Sequence, residues 1–216
     1  MEPLRVGNGE VDHAVAALRS GQPVVLPTDT VYGLCANPYS EEPVRRAYAL
    51  KGREPTQPSA LVASDVDMLL ECIPELRSRI GPVLRALLPG PFTLVVPNPA
   101  RRYRWLTGHR PETLGIRVPE PPTPADVVLM RTGAVMATSA NLPGGADPAR
   151  LDDVPDEILE GCAAAIDAGE LPGVPSTVID LTGAEPTVLR EGAVPTAEAL
   201  ERVRNGLATG AASSRG

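Results

Sequence analysis

One stretch of the sequence decides the fold: Pro23-Val24-Val25-Leu26-Pro27-Thr28-Asp29-Thr30-Val31-Tyr32-Gly33-Leu34. Its first part, residues 23–27, is short, apolar and β-branched, which is typical of a buried strand. The residues that follow bring hydroxyls, a carboxylate and a phenol into one short turn, and Gly33 lets a ligand or another strand approach the backbone. The stretch therefore predicts a strand whose carboxyl end forms one wall of a pocket.

A helix that ends at two cations follows this wall. Ser40 can cap the helix, and Gly52 is a natural stop. Lys51 is the only lysine in the sequence, and Arg53 follows two residues later. An ammonium and a guanidinium fork beside hydroxyls favour an anion-binding site. Complementing the helix dipole is the alternative role for these cations, and the lone lysine favours the functional one.

Length and composition favour one domain and a local site. A chain of 216 residues can bury a core of its own. Cys35, Cys72 and Cys162 are widely spaced, which predicts buried thiols in a reducing cytoplasm rather than disulfides or a zinc site. We find neither a signal peptide nor a membrane-length apolar run in the sequence. Because the net charge is -7, a bound anion needs a local cluster of cations.

The two histidines of the sequence, His13 and His109, do not indicate a catalytic triad. Neither lies near a serine, cysteine or carboxylate in a recognisable nucleophile pattern. The chemistry is therefore expected not to depend on a histidine base. A reaction that works by positioning and charge stabilisation, such as phosphoryl or nucleotidyl transfer, remains open.

The rest of the chain alternates helices and strands, which indicates an α/β fold. We expect a lead-in over residues 1–9, a single domain over residues 1–207 and a disordered tail over residues 208–216. Segments 176–181 and 187–190 flank a glycine-containing loop and predict a hairpin, so the sheet is expected to be mixed. The other predicted strands span 59–63, 92–96, 114–119 and 134–137, and the predicted helices span 11–21, 40–52, 64–72, 75–88, 121–131, 155–165 and 195–207.

Three further segments carry polar or cationic groups. Residues 101–105 interleave arginines with aromatic rings; a solvated loop is the favoured interpretation, and contact with tRNA or a nucleotide is the minor one. Arg117 interrupts an apolar strand and needs an anionic partner, either a structural carboxylate or the carboxylate of a ligand. Thr138-Ser139-Ala140-Asn141 ends a strand and suits phosphate or ribose, although such residues beside glycines also form ordinary turns.

Together these segments resemble the YrdC/Sua5 family of threonylcarbamoyl-AMP synthases. The matching blocks occur in the family's order over about residues 10 to 195 and resemble the short, single-domain form. They are residues 27–34, Lys51-x-Arg53, Pro89-Gly90-Pro91-x-Thr93, Gly115-x-Arg117-x-Pro119, Ser139-Ala140-Asn141, Ser176-Thr177 and Leu189-Arg190-x-Gly192.

The resemblance implies a fold and a reaction. The fold is a twisted, mixed, seven-stranded sheet flanked by helices, with a concave, positively charged cavity. The reaction joins L-threonine, bicarbonate and ATP into threonylcarbamoyl-AMP and pyrophosphate, for the threonylcarbamoyl modification of adenosine 37 in tRNA. Mg²⁺ is expected to arrive with ATP, without zinc or an organic cofactor, and downstream transfer proteins are expected to receive the product.

The resemblance also implies the site residues, by position in the matching blocks. Lys51 and Arg53 are expected at the phosphate oxygens as the catalytic cations. The implied threonine-binding residues are Thr30, Arg117, Ala137 and Ser176. The implied ATP-binding residues are Arg53, Gln57, Thr113, Ser139, Asn141, Asp147 and Arg190.

Two positions depart from the family pattern. Gln57 stands where the family usually has a second lysine, and Val62 stands where it usually has a histidine. These changes are expected to weaken the grip on ATP and threonine unless other arginines compensate or the substrate preference has changed. The alternative functions are a paralogue with another substrate and a non-catalytic RNA-binding module, which the acidic composition disfavours.

Overall fold

A computed structural model describes residues 8–77 and 80–213, and its centre is one mixed sheet. The described residues form nine strands in the order β7-β1-β2-β6-β3-β5-β4-β8-β9. Pairs β1/β7, β3/β5 and β4/β8 are parallel and the other neighbouring pairs are antiparallel. The strands are β1 (Val24–Pro27), β2 (Tyr32–Ala36), β3 (Ala60–Ala63), β4 (Phe92–Pro97), β5 (Thr113–Arg117), β6 (Ala134–Ser139), β7 (Ala164–Ala165), β8 (Thr177–Asp180) and β9 (Thr187–Arg190).

The mixed sheet agrees with the predicted fold class, and the strand count does not. The resemblance implies seven strands, and the described residues form nine. The turn after β1 was expected to be followed by a helix, but it first closes a hairpin with β2. Thr28 makes this turn, because its hydroxyl accepts hydrogen bonds from the amides of Thr30 and Val31, both at 3.2 Å, and donates one to the Val31 carbonyl at 2.7 Å.

Seven α-helices of the described residues flank the sheet. The predicted helix over 75–88 is replaced by a 3₁₀ turn at Pro74–Leu76 and a separate helix, because Pro82 suits the first turn of a new helix. The first helix begins at Asn8, within the predicted lead-in, and residues 1–7 lie outside the described residues. The helices are α1 (Asn8–Arg19), α2 (Glu41–Lys51), α3 (Val66–Cys72), α4 (Gly81–Leu87), α5 (Ala125–Thr132), α6 (Asp156–Gly161) and α7 (Thr196–Ser213).

The last helix extends beyond its predicted end at residue 207. Residues 208–213, expected to be disordered, continue α7, and residues 214–216 lie outside the described residues. Alanine is a strong helix former and recurs in this segment. Gly206 also lets α7 approach α4 closely, since a Cβ at Gly206 would lie 3.0 Å from the Val83 Cα.

The two faces of the sheet are covered differently. The larger buried cluster includes Tyr48, Leu84 and Val203, which come from α2, α4 and α7. The smaller cluster packs α1 and α5 against part of the sheet, through residues such as Leu18 and Val128. None of the helices in the described residues has the length and apolarity needed to cross a membrane.

Candidate active site

A cavity of about 360 Å³ lies on the sheet, next to the part that α1 and α5 cover. Small side chains form one row of its floor, because Ala137 pairs with Ala60 and Ala60 pairs with Gly115. In the next row Arg117 in β5 pairs with Val62, and Arg190 in β9 pairs with Val178. The sheet therefore supplies a flat patch bordered by cations, which suits a planar or anionic ligand.

The structure brings most of the predicted site residues together. Nine of them line this cavity, although they come from distant parts of the sequence: Thr30, Arg53, Thr113, Arg117, Ala137, Ser139, Asp147, Ser176 and Arg190. Lys51, Gln57 and Asn141 are not among its lining residues. The ligands that these residues hold stay predictions, but the shared cavity that the proposed site requires is present.

Arg117 makes a structural ion pair and also lines the cavity. Its guanidinium donates hydrogen bonds to the Asp29 carboxylate and to the Thr30 hydroxyl, the latter at 2.7 Å. Burial lowers the pKa of Arg117, and the charge of Asp29 opposes that shift. The Arg117 Nε and the Asp29 Oδ2 are buried and have no hydrogen-bond partner among the described residues. Asp29 thus anchors the arginine while leaving part of its fork unsatisfied.

Lys51 lies behind the cavity wall rather than in it. Lys51 is 4% exposed, and its ammonium donates to the carbonyls of Ser139 and Asn141 at 2.6 and 2.7 Å, and to the Asn141 Oδ1 at 2.5 Å. Burial, assisted by Arg53, lowers the pKa of Lys51 to about 8, and Asp147 acts in the opposite direction. Because an ammonium has three N–H donors, these acceptors use all of them. In this conformation Lys51 positions the loop that begins at Ser139.

Arg53, two residues later, does line the cavity. Its Nη1 lies 3.4 Å from the Thr138 hydroxyl, and its Nη2 donates to the Pro58 carbonyl. The guanidinium also lies 5.9 Å from the centre of the Tyr48 ring. Its Nε is buried without a hydrogen-bond partner in the described residues. These neutral partners fix the guanidinium without neutralising it, so an anion in the cavity would meet its charge.

The predicted Ser-Ala-Asn signature forms a tightly bonded turn. Ser139 donates its hydroxyl to the Asn141 Oδ1 at 2.7 Å, and the Asn141 amide donates to the Gly145 carbonyl at 2.7 Å. The Ala140 amide bonds the Tyr32 carbonyl at 2.9 Å and holds the turn against β2. Ser139 therefore faces the cavity, while Asn141 supports it together with Lys51.

The opposite wall carries hydroxyls beside another arginine. The Thr93 and Ser176 hydroxyls lie 2.7 Å apart, and both residues line the cavity. Arg190 donates its Nη2 to the Ser176 carbonyl at 2.8 Å. This carbonyl is neutral, so Arg190, like Arg53, brings a positive charge that its hydrogen-bond partner does not cancel.

Sequence reasoning missed part of the cavity rim. Thr93, Thr107, His109 and Arg110 line the cavity, and none of them was predicted to bind a ligand. No recognisable motif surrounds His109 in the sequence. In the folded protein, its loop brings it to the cavity. Its Nδ1 lies 3.2 Å from the carbonyl of Thr56, in the loop after Arg53.

The arginine-aromatic segment 101–105 is mostly engaged with the protein itself. Arg102 pairs with Glu75 at 2.9 Å. Tyr103 and Trp105 pack against the larger cluster, and the Trp105 indole donates to the Pro38 carbonyl at 2.8 Å. The arginines of the segment are exposed, as the favoured solvated loop requires, but its aromatic rings pack against the protein and are not free to stack on bases.

The two departures from the family pattern lie at different places. Val62 in β3 lines the cavity and is 3% exposed, in register with Arg117. Gln57 is exposed and lies in the loop between Arg53 and Ser59. An apolar side chain therefore borders Arg117, and the nearby loop carries an amide in place of a cation.

Comparison with known proteins gives consistent matches over most of the chain. The family model Sua5_yciO_yrdC, described as telomere recombination, matches residues 16–192. A protein of Pyrococcus abyssi named threonylcarbamoyl-AMP synthase is 32% identical over 92% of this chain and 58% of its own length. A protein of Halorhodospira halophila with the same name is 39% identical over 65% of this chain and 72% of its own length.

A solved structure matches the fold as well as the sequence. The crystal structure of P. abyssi Sua5 complexed with L-threonine has a TM-score of 0.80 and 33% identity, over 92% of this chain and 58% of that one. This chain thus spans less than two thirds of the length of the Pyrococcus protein.

Proposed function

This chain belongs to the Sua5_yciO_yrdC family, and we propose that it is a threonylcarbamoyl-AMP synthase, a nucleotidyltransferase. One observation carries the proposal: residues from most strands of the sheet converge on one cavity that Arg53, Arg117 and Arg190 border. The names of the relatives and the threonine complex of P. abyssi Sua5 support the choice of substrates.

The proposed reaction has two steps. The amine of L-threonine attacks the carbon of bicarbonate, water leaves, and a carbamate forms. A carbamate oxygen then attacks the α-phosphorus of ATP, and pyrophosphate leaves with the electrons of the broken P–O bond. Both reactants carry negative charge, so the protein accelerates the reaction mainly by aligning them and stabilising the charge that develops.

The site divides between the two substrates. Arg117, with Thr30 beside it, takes the threonine carboxylate, and Ala137 and Ser176 bound the rest of the amino acid. The predicted ATP-binding residues that line the cavity take ATP, namely Arg53, Thr113, Ser139, Asp147 and Arg190. Lys51 and Asn141 act by holding Ser139 in place, as their hydrogen bonds indicate.

Mg²⁺ would come to the site on the nucleotide. Among the described residues, no three histidine, cysteine or carboxylate side chains form a group that could hold a metal ion. Asp147 is the one carboxylate among the residues that line the cavity. It is suited to one oxygen ligand of a Mg²⁺ that keeps its other positions for phosphate and water. The bound ion would neutralise phosphate charge.

The proposed product, threonylcarbamoyl-AMP, is a labile adenylate that must be passed on. We propose that proteins which transfer the threonylcarbamoyl group to tRNA take up the adenylate, and that the enzyme works in the cytoplasm beside them. Direct tRNA binding is the weaker proposal, because the net charge of -7 opposes it.

Mass spectrometry of the product tests the proposal. The purified protein is mixed with ATP, Mg²⁺, bicarbonate and L-threonine, and we expect threonylcarbamoyl-AMP together with one pyrophosphate per product. Omitting threonine or bicarbonate should stop pyrophosphate release. Arg53→Ala should slow the reaction about a hundredfold, whereas the matched surface variant Arg45→Ala should not change it.

Three outcomes would reject this function. Pyrophosphate release without threonine would indicate another reaction, and a preference for a different amino acid would indicate that Val62 has changed the substrate. Salt-sensitive tRNA binding without turnover of ATP would favour the RNA-binding module instead.

A further inference from the structure

The cavity rim contains a rigid, cationic loop that the proposed roles leave unused. Asn98 is 1% exposed and braces this loop: its amide donates to the carbonyls of Arg102 and Pro111 at 2.9 and 3.1 Å, and its Oδ1 accepts from the Arg102 amide at 2.9 Å. Arg101 and Tyr103 have φ angles of 51° and 49°, which non-glycine residues rarely adopt. Strain of this kind persists where surrounding contacts fix it, often at functional sites.

The end of this loop, residues 107–110, is here named the rim loop. Its Gly108 has a φ of 58°, and a Cβ there would overlap the Thr56 carbonyl and lie 3.0 Å from the Pro58 nitrogen. The rim loop is therefore pressed against the loop that follows Arg53. His109 Nδ1 meets the Thr56 carbonyl at 3.2 Å, and since a carbonyl can only accept, Nδ1 is the protonated nitrogen. The other ring nitrogen, Nε2, donates to an anion only when the ring carries both protons and is cationic.

Arg110 extends from the rim loop toward the opposite side of the cavity. Its nearest carboxylates are those of Glu112 and Asp180, at 3.6 and 4.0 Å. Both distances exceed those of a charge-assisted hydrogen bond, so the guanidinium keeps its donors for a better acceptor. Asp180 ends β8, whose Val178 pairs with Arg190. The Arg110 side chain thus faces the end of β8, the strand that pairs with the strand of Arg190.

These positions place four side chains that can carry positive charge around one opening, namely Arg53, His109, Arg110 and Arg190. Asp147 is the single carboxylate among the lining residues. Such an excess suits a ligand with several negative charges, and a carbamate or one phosphate does not require it. The terminal phosphates of a nucleotide, or free pyrophosphate, carry several negative charges and match this excess of cations.

We propose that His109 and Arg110 form a subsite for the terminal phosphates of ATP, which becomes the pyrophosphate subsite after the reaction. This inference rests on the proposed function for the identity of the nucleotide. The subsite supplies cations at the rim, on the same side of the cavity as the loop in which Gln57 stands in place of a second lysine. The leaving group is then held by the rim loop while Arg53 stays at the reacting phosphate.

Isothermal titration of the whole protein with inorganic pyrophosphate, without other substrates, tests the subsite. We expect wild-type protein to bind pyrophosphate and Arg110→Ala or His109→Ala to bind it about tenfold more weakly. Arg104→Ala is the matched control, because Arg104 is exposed on the same braced segment but does not line the cavity. It should leave binding unchanged, and circular dichroism should show that all variants are folded.

In turnover assays the same variants should raise the KM for ATP about tenfold and leave the KM for L-threonine unchanged. Equal pyrophosphate affinity of wild type and both rim variants would overturn the subsite, and so would a wild-type protein that does not bind pyrophosphate. If pyrophosphate binding depends on Arg110 but no threonylcarbamoyl-AMP forms, the subsite stands and the proposed function fails.

Discussion

Two neighbouring parts of one sheet face behave differently. Under α1 and α5 the face carries branched, fully buried side chains such as Leu26 and Val135, each at most 2% exposed. Farther along β6, and on the next two strands β3 and β5, it carries Ala137, Ala60 and Gly115 in register, and the cavity lies above them. The covered part thus provides stability, and the uncovered part leaves room for a ligand.

Packing within the protein does not require a glycine at position 115, in the floor of the open part. A Cβ at Gly115 would lie 3.5 Å from the Ser59 carbonyl oxygen and 3.7 Å from the Ala60 Cα, which are ordinary contacts. Glycine within a strand costs about 0.5–1 kcal/mol relative to alanine. The protein therefore tolerates a small loss of stability at this position, and the space above the sheet is what glycine provides.

Replacing Lys51 tests the boundary between the covered and the open part, and it has the largest expected effect on stability. Lys51→Met keeps the length of the side chain but leaves the acceptors on Ser139 and Asn141 without their donor. Leaving such groups unpaired should reduce the free energy of unfolding by about 3 kcal/mol, measured by urea denaturation. Arg45→Ala on the same helix removes only an exposed ion pair with Glu41 and should cost under about 0.5 kcal/mol.

The opposite result for Lys51 would restore its predicted catalytic role. If Lys51→Met folds as stably as wild type but loses turnover, the ammonium leaves its protein acceptors and contacts phosphate during the reaction. That outcome would move Lys51 from the supporting wall to the reacting centre.

Gly115→Ala and Gly115→Val should fill the open part in two steps. We expect ATP binding, measured by titration calorimetry, to weaken about tenfold and then about hundredfold, because each added methyl group occupies ligand space. The free energy of unfolding should change by less than about 1 kcal/mol. Val135→Ala in the covered part is the counterpart, and it should lose about 2 kcal/mol of stability while ATP affinity stays the same.

Unchanged ATP affinity in Gly115→Val would show that the nucleotide does not use this floor. The cavity would then hold its ligand at the walls alone.

Comparing substitutions at Gly108 and Gly144 distinguishes the stability cost of a steric overlap from the cost of backbone strain. Both have positive φ angles, 58° and 80°, but nothing lies within 4 Å of a Cβ built on Gly144. Gly108→Ala should cost about 2 kcal/mol more than Gly144→Ala, since it must also push the rim loop away from Thr56. It should weaken pyrophosphate binding too. Equal costs for the two variants would show that the rim loop is not pressed against its neighbour.

The sequence predicted which residues meet at the cavity better than it predicted the elements around them. Lys51-x-Arg53, Arg117 and the Ser-Ala-Asn turn have characteristic spacing, and the turn chemistry of each segment is local. The second strand of the first hairpin, Tyr32–Ala36, was missed because glycine and alanine are weak strand formers and because its neighbour β6 lies about a hundred positions later. His109 and Arg110 were missed because tertiary packing alone brings their loop to the cavity.

The role of Lys51 shows a second limit of sequence reasoning. The lone lysine was predicted to bind an anion, but residue type alone does not tell whether its donors point to a ligand or to the backbone. That depends on which carbonyls the folded Ser139 turn presents, and these belong to a segment about ninety residues away.

Replacing Cys35 has the smallest expected effect. The pH dependence of stability then tests whether α1 and α5 seal the covered part of the sheet. Cys35 is 2% exposed in β2, and burial raises its pKa from 9.0 to about 12, with Cys162 adding to the shift and Arg117 opposing it. Between these values the unfolded thiol loses its proton while the folded one keeps it. The stabilising contribution is therefore complete below pH 9 and decreases as the pH rises toward 12.

At pH 10 this loss should reach about 1.4 kcal/mol for Cys35 alone, because one pH unit above the unfolded pKa corresponds to that free energy. Cys35→Ala lowers stability at every pH through lost packing, but its stability should fall less between pH 8 and 10 than that of wild type. Other titrating groups, such as Cys162, are present in both proteins and cancel in the difference. Parallel pH profiles in urea denaturation would mean that water reaches the Cys35 thiol, and that α1 and α5 do not seal their part of the sheet.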